Sequence, residues 1–227
     1  MLKLLIYDIY IQWRSGFWSV YSIIGFLYIL ILLNIPINIR DDVAVGFIFM
    51  DTSVLGLIFV GALVLFEKQQ GVLQSMSVTP LKLNTYIFSK VISLTILSIV
   101  ISSLIWIIPL WSLKGYGYIF SGVVLSSVVF TIFGLGFSSG VISFNQYLAR
   151  IFMGSLIFSL PIVPFIIFPE MVWLIIFPTN AALNLFLQIS KGSFSIIQLI
   201  DIIILVTWIY IMLKFARKQF KKNNLFV

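Results

Sequence analysis

Seven carboxylates are all the side-chain acid–base chemistry near neutral pH that this sequence offers, because it has no His and no Cys. Without His it lacks the commonest general base and metal ligand. Without Cys it has no thiol nucleophile, thiolate metal site or disulfide framework. Metal hydrolases and intramembrane proteases are thereby disfavoured, and only Asp/Glu chemistry survives. Three acids lie in or beside apolar runs: Asp51, Glu67 and Asp201. Two adjacent carboxylates could work as acid and base. These three predict separation instead, with Glu67 at one boundary of the runs and both Asp residues nearer the other. An ionised Asp at a bilayer centre costs about 2.5–3.5 kcal/mol, so such a residue faces a cavity or a partner. For Asp51 two readings stand: a cavity residue meeting cationic or zwitterionic substrates, or a capping or interface acid. It lies nine residues past Asp42, at most ~14 Å along a helix, within reach of interfacial water. Asp201 is read as a capping or interface acid.

Nucleotide chemistry is missing from the chain. A phosphate-binding loop needs G-x-x-x-x-G-K-[ST], and no such run occurs. The cluster "GLGFSSG" (Gly134, Gly136, Gly140) misses the dinucleotide spacing and lies in an apolar run. Gly136 and Gly140 form GxxxG, read as a close helix-packing site. No cofactor or metal is expected on this chain.

The elements that must hold these residues are membrane helices. Hydrophobic residues make up 61% of the chain and charged ones 9%, with mean hydropathy +1.17, against about a quarter charged in soluble domains. A spanning helix needs roughly 20 mainly apolar residues. Six segments qualify: about 17–36, 44–66, 87–111, 117–142, 150–168 and 199–216. Between the last two, "MVWLIIFP" is too short to span and is bracketed by Pro161, Pro164, Pro169 and Pro178. The region 169–190 is therefore expected to hold re-entrant or interfacial half-helices, buried in protein or lining a cavity. Six spans with both termini inside put eleven Lys/Arg on the inner side and three (Arg40, Lys114, Lys191) on the outer. That is the positive-inside bias. The charge of +7 thus marks a membrane face and not a nucleic-acid stripe. No cleavable signal is expected at the start, where Lys3, Asp8 and Arg14 are spread along the chain without a small-residue cleavage site.

Two amphipathic elements flank these spans. On a helix over residues 1–15, Leu2, Leu5, Ile6, Ile9 and Trp13 share one face, and Lys3, Tyr7, Asp8, Gln12 and Ser15 lie opposite. It is expected to lie in the inner interface with Trp13 and Arg14 as anchors. Between spans 2 and 3, "FEKQQGVLQSMSVTP" is an island of charge and amide. Val72, Leu73 and Met76 fall on one helical face, Thr79-Pro80 stops the element, and Glu67 can meet the positive end of the short helix. An apolar triad in this polar segment would be exposed unless something covered it, which suits docking of a soluble partner.

Glu67, Gly71 and Leu73, then "VTPL" and Ser89-Lys90, resemble the signature between the second and third spans of ABC-2-type transporter permeases. Residues 51–95 look most like the small permease subunits of the fluoroquinolone exporters, as do "LLIYDIYIQWRSGFWSVY" and "FPTNAALNL". Thr52 departs from the Pro expected after the Asp and leaves the onset of span 2 open. The resemblance implies that Glu67, Gly71, Val72, Leu73, Thr79 and Pro80, with Met76 beside them, form a coupling helix for a cytoplasmic ABC ATPase. It makes the start an elbow helix and the Pro-rich piece the outer re-entrant helices. It also implies a second permease copy or sibling, and ATP and Mg on the partner ATPase. The expected protein is one all-α, six-span domain in a bacterial cytoplasmic membrane, exporting an amphiphilic small molecule, drug, lipid or peptide without being an enzyme itself. The alternatives are a membrane binding or immunity protein with no ATPase, and a carboxylate-dependent intramembrane enzyme.

Overall fold

A computed structural model of the chain describes residues 2–73, 81–111, 116–168, 170–190 and 196–222. Among them all regular structure is helical. Helix α1 (Leu2–Arg14) turns through 65° into α2 (Phe17–Leu33). The turn is made at Gly16, whose φ of 79° is a left-handed conformation that only glycine holds cheaply. A side chain there would have room, so the backbone angle and not space calls for glycine.

Span 2 begins earlier than hydropathy suggests. Helix α3 (Ile37–Val54) starts after Pro36 and takes Arg40, Asp41 and Asp42 into its first turns. Arg40 stabilises this arrangement by donating to the carbonyls of Ile35 (2.9 Å) and Pro109 (3.1 Å), the latter one of the open carbonyls at a helix end. The path continues through one π-helical stretch, Leu55–Phe59, into α4 (Val60–Gln69). Thr52, where Pro was expected, is mid-helix and returns its hydroxyl to the Ile48 carbonyl at 2.9 Å.

Helix α5 (Leu83–Leu110) and α6 (Tyr116–Ser138) follow. Helix α6 ends four residues short of the expected 142, where the Ser138 hydroxyl bonds back to the Leu135 carbonyl at 2.8 Å. The GxxxG expectation is corrected accordingly: Gly136 packs under the Phe215 ring, but Gly140 lies in the turn beyond the helix. Close helix approach is made instead by Gly56 and Gly134, where a Cβ would meet the facing backbone at 2.7–2.8 Å. Tyr147 crosses Gly61 and gives its hydroxyl to the Leu57 carbonyl in the π stretch, satisfying a backbone group beside that irregularity.

Helix α7 (Phe144–Ser159) starts six residues before the expected 150. Ser143 caps it by accepting from the Gln146 N–H (3.3 Å), while the Gln146 side chain accepts from the Ile142 N–H (3.0 Å), close to a capping box. The chain breaks at Pro161 and continues as α8 (Ile162–Ile167), a 3-10 turn (Val172–Ile176) and α9 (Pro178–Ser190). Helix α9, with Pro at its first position, spans about 20 Å and cannot cross a bilayer core. Yet Ala181, Ala182 and Phe186 are fully buried. Its Asn180 side chain donates to the carbonyls of Leu174 and Pro161, closing backbone groups that a broken helix leaves open.

Helix α10 (Ile196–Lys222) carries the basic tail as part of the helix and buries Ala216 and Phe220. Five of these helical paths are long and apolar enough to cross a membrane, and the bent pair α1–α2 raises the count to six. The core runs along α6, 72% buried over its apolar stretch, against 6% for α7–α8.

Candidate functional site

Two residues of the polar face of α1, Asp8 and Gln12, point into the protein, while Lys3 and Tyr7 stay exposed. Asp8 and Gln12 are buried to 1% exposure or less, whereas Leu2 (72%), Ile6 (59%) and Trp13 (69%) are exposed. This inverts the arrangement of a helix on a soluble domain and suits hydrocarbon outside. Trp13 and Arg14 are exposed, with Trp13 6.0 Å from Trp18.

Asp8 meets Lys90 of α5, whose ammonium donates to Asp8 Oδ1 at 2.6 Å. The other Asp8 oxygen accepts from Ser89. Lys90 also donates to Glu67 Oε1, and Tyr86 gives its hydroxyl to Glu67 Oε2 at 2.9 Å. One turn along, Gln12 Nε2 donates to Ser93 Oγ at 2.8 Å. Lys90 lies 5.4 Å from the centre of the Tyr86 ring, and Phe220 of α10 meets that ring edge-on at 5.8 Å. Four separated elements, α1, α4, α5 and α10, are thus fastened at one point.

Chemically this is one cation held by two carboxylates. Asp8, Glu67 and Lys90 are each at most 1% exposed, so no substrate can reach them, and the constellation is a fastener and not an acid–base pair. Two carboxylates left without the lysine would repel each other in a dry interior. The short helix whose positive end Glu67 was expected to meet extends beyond the described residues. The Glu67 carboxylate is taken up by Lys90 and Tyr86, because it faces the bundle.

The segment leaving this joint is held on two sides. Lys68 donates to the Val141 carbonyl in the α6–α7 turn at 2.9 Å, and Gly71 takes φ of 72°. Leu73 is 2% exposed and covered by the chain itself, while Val72 is half-buried. Met76, Thr79 and Pro80 lie outside the described residues.

The remaining acids stay apart. Asp51 is 3% exposed and its Oδ2 has no partner among the described residues. Asp201 is buried on α10 and accepts from Asn184 of α9 at 2.8 Å. No hydrogen bond joins any two of Asp51, Glu67 and Asp201 among the described residues. A cavity of about 120 Å³ lies among α3, α6, α7 and α9, faced by Phe49, Phe130, Phe133 and Phe158. It is smaller than the ~300–1,000 Å³ of a drug-sized pocket.

Tyr86 was missed from sequence, and Asp8, Ser89 and Lys90, though quoted there, were not assigned to one site with Glu67. Lys90 carried a signal: it falls inside the apolar run 87–111, where an ionisable group calls for a named partner.

The sequence profile of the Fluoroquinolones export permease protein family matches residues 1–225. The chain is 28% identical over 138 residues to fluoroquinolones export permease proteins of two Mycobacterium tuberculosis strains, CDC 1551 / Oshkosh and ATCC 25618 / H37Rv. That match covers 59% of this chain and 56% of each relative, so it spans little more than half of the curated relatives' length.

Proposed function

We propose that this chain, which belongs to the Fluoroquinolones export permease protein family, is the membrane-spanning subunit of an ATP-driven ABC-2 exporter. The observation that carries this is the family match over nearly the whole chain, on a multi-pass helical protein. The chain would lie in the bacterial cytoplasmic membrane as one domain of six spans, both termini inside. Its cargo would be an amphiphilic small molecule, of which the fluoroquinolones named for its relatives are one class.

Because no phosphate-binding loop occurs in the sequence, ATP and Mg would be bound by a separate cytoplasmic ATPase. It would seat on residues 67–80, with Gly71, Val72, Met76, Thr79 and Pro80 in the contact. Leu73 would support the segment from inside, in keeping with its burial. Helix α1 would be the elbow, and the 3-10 turn and α9 the outer re-entrant pieces. A second permease copy or a sibling would complete the transporter, and cargo would leave between the two halves.

The buried joint explains how a push on the segment would spread. Glu67 begins the segment and is tied through Lys90 to Asp8, so α1, α4 and α5 would move as one body. A closure driven by ATP moves cargo only if affinity differs between the two facing states.

The test is affinity purification of the tagged chain from its native membranes, beside Val72→Asp. Val72 is the choice because a charge at buried Leu73 would unsettle the fold. The expected result is a chain carrying G-x-x-x-x-G-K-[ST] in about equal amount with the wild type, and lost from the variant while insertion is normal. Wild-type protein that brings down no ATPase overturns the proposal and favours a binding or immunity protein working alone.

A further inference from the structure

At the end of the bundle where α10 stops, a groove of about 620 Å³ opens between α6, α7 and α10. Its walls share one order. Along α7, Arg150 is followed one turn later by Met153 and two turns later by Ile157. Along α10, Lys222 is preceded by Gln219 and then Phe215. The two helices run in opposite directions here, which places both cations at one rim and the apolar groups about 10 Å further in.

The floor is a pair of rings, Phe137 and Phe215, with centres 5.4 Å apart. Two glycines let the rings lie close: a Cβ at Gly154 would meet Phe137 at 2.6 Å, and one at Gly136 would meet Phe215 at 2.5 Å. Met153 and Ile157 are 72% and 66% exposed, so the apolar part is open to the side. Among the described residues no carboxylate lines the groove, and both ion pairs belong to Lys90, so neither Arg150 nor Lys222 has a carboxylate partner there.

We infer that this groove binds one anionic phospholipid, its phosphate between Arg150 and Lys222 and an acyl chain along Met153, Ile157 and the ring floor. Charge complementarity selects the occupant: cations at a rim above an apolar, laterally open trough match an anionic head with a tail below it. Arg suits phosphate through its planar fork of donors. A soluble anion would use the rim and leave the trough bare. The inference needs only that the chain sits in a bilayer, so it can fail or hold independently of the ATPase partner.

The test is native mass spectrometry of the full-length protein released from nanodiscs of phosphatidylglycerol and phosphatidylcholine. Arg150→Gln/Lys222→Gln is compared with Lys214→Gln/Lys218→Gln, which removes the same charge at exposed sites outside the groove. The expected result is one retained phosphatidylglycerol per chain in the wild type and the control. In the groove variant its affinity falls by at least about tenfold, and phosphatidylcholine is unaffected. Equal loss in both variants means diffuse surface attraction and overturns the site. Competition by millimolar inorganic phosphate alone overturns it as well, since the trough then contributes nothing. A groove variant that changes dimer content without changing retained lipid assigns the face to a second copy instead.

Discussion

Two buried acids in this protein have opposite company. Glu67 is enclosed by Lys90, Tyr86 and, across the lysine, Asp8. Asp51 is nearly as buried, yet one of its oxygens has no partner among the described residues. Burial alone therefore does not tell what an acid in an apolar chain is for. A carboxylate whose bonds are all taken holds elements together. The open Asp51 oxygen shows no such contact among the described residues.

The largest expected effect comes from breaking the joint at its cation. Lys90→Met leaves two carboxylates facing each other and should cost about 3–5 kcal/mol, seen as lost yield and earlier thermal unfolding in detergent. Neutralising all three positions together, with Asp8→Asn, Glu67→Gln and Lys90→Met, should recover most of that loss, because no uncompensated charge is left behind. If the triple variant is as damaged as the single, the joint is held by packing and not by charge.

Asp8→Asn should have a smaller effect, about 1.5–3 kcal/mol, since one charged hydrogen-bond partner is lost and the Lys90–Glu67 pair persists. The specific sign is detachment of α1, read as faster tryptic cleavage after Arg14 while the rest of the chain stays protected. Asp51→Asn should change stability least, by less than about 1 kcal/mol, because no ion pair is broken. Export by this variant sharpens the contrast: a normal fold with lost export assigns the open carboxylate to transport, and unchanged export assigns it to neither role.

Much of the outer plan could be read from the chain. Six apolar runs, a polar island between the second and third, and an amphipathic start all follow from periodicity and length. The boundaries shifted where side chains outweighed hydropathy. Arg40 draws span 2 back to Ile37 by closing two carbonyls, and Ser143 with Gln146 starts α7 early. The capping pattern is visible in the sequence, whereas the Arg40 contacts depend on how helices meet.

The joint itself was legible only by halves. Asp8 was placed on the polar face of α1, and Glu67 stood at the head of the polar island. Nothing in a hydropathy pattern says that a lysine 82 residues after the first and 23 after the second would bind both. Lys90 was counted only among the inner-side charges, although it lay within an apolar run. An ionisable residue inside such a run is better treated as half of a pair whose partner has yet to be found. Leu73 shows the converse: on a polar segment it resembles an exposed contact, and only packing reveals that the chain covers it.

The measurement that tests the central claim most directly uses the absence of cysteine from this chain. A single cysteine is placed at Val72, beside the joint, or at Trp111, 87% exposed where α5 ends, and a short thiol-to-amine crosslinker is applied to native membranes. The account predicts an adduct with an ATPase from Val72→Cys and none from Trp111→Cys. An adduct from Trp111→Cys, or none from Val72→Cys while the protein is folded and inserted, contradicts docking of an ATPase on residues 67–80.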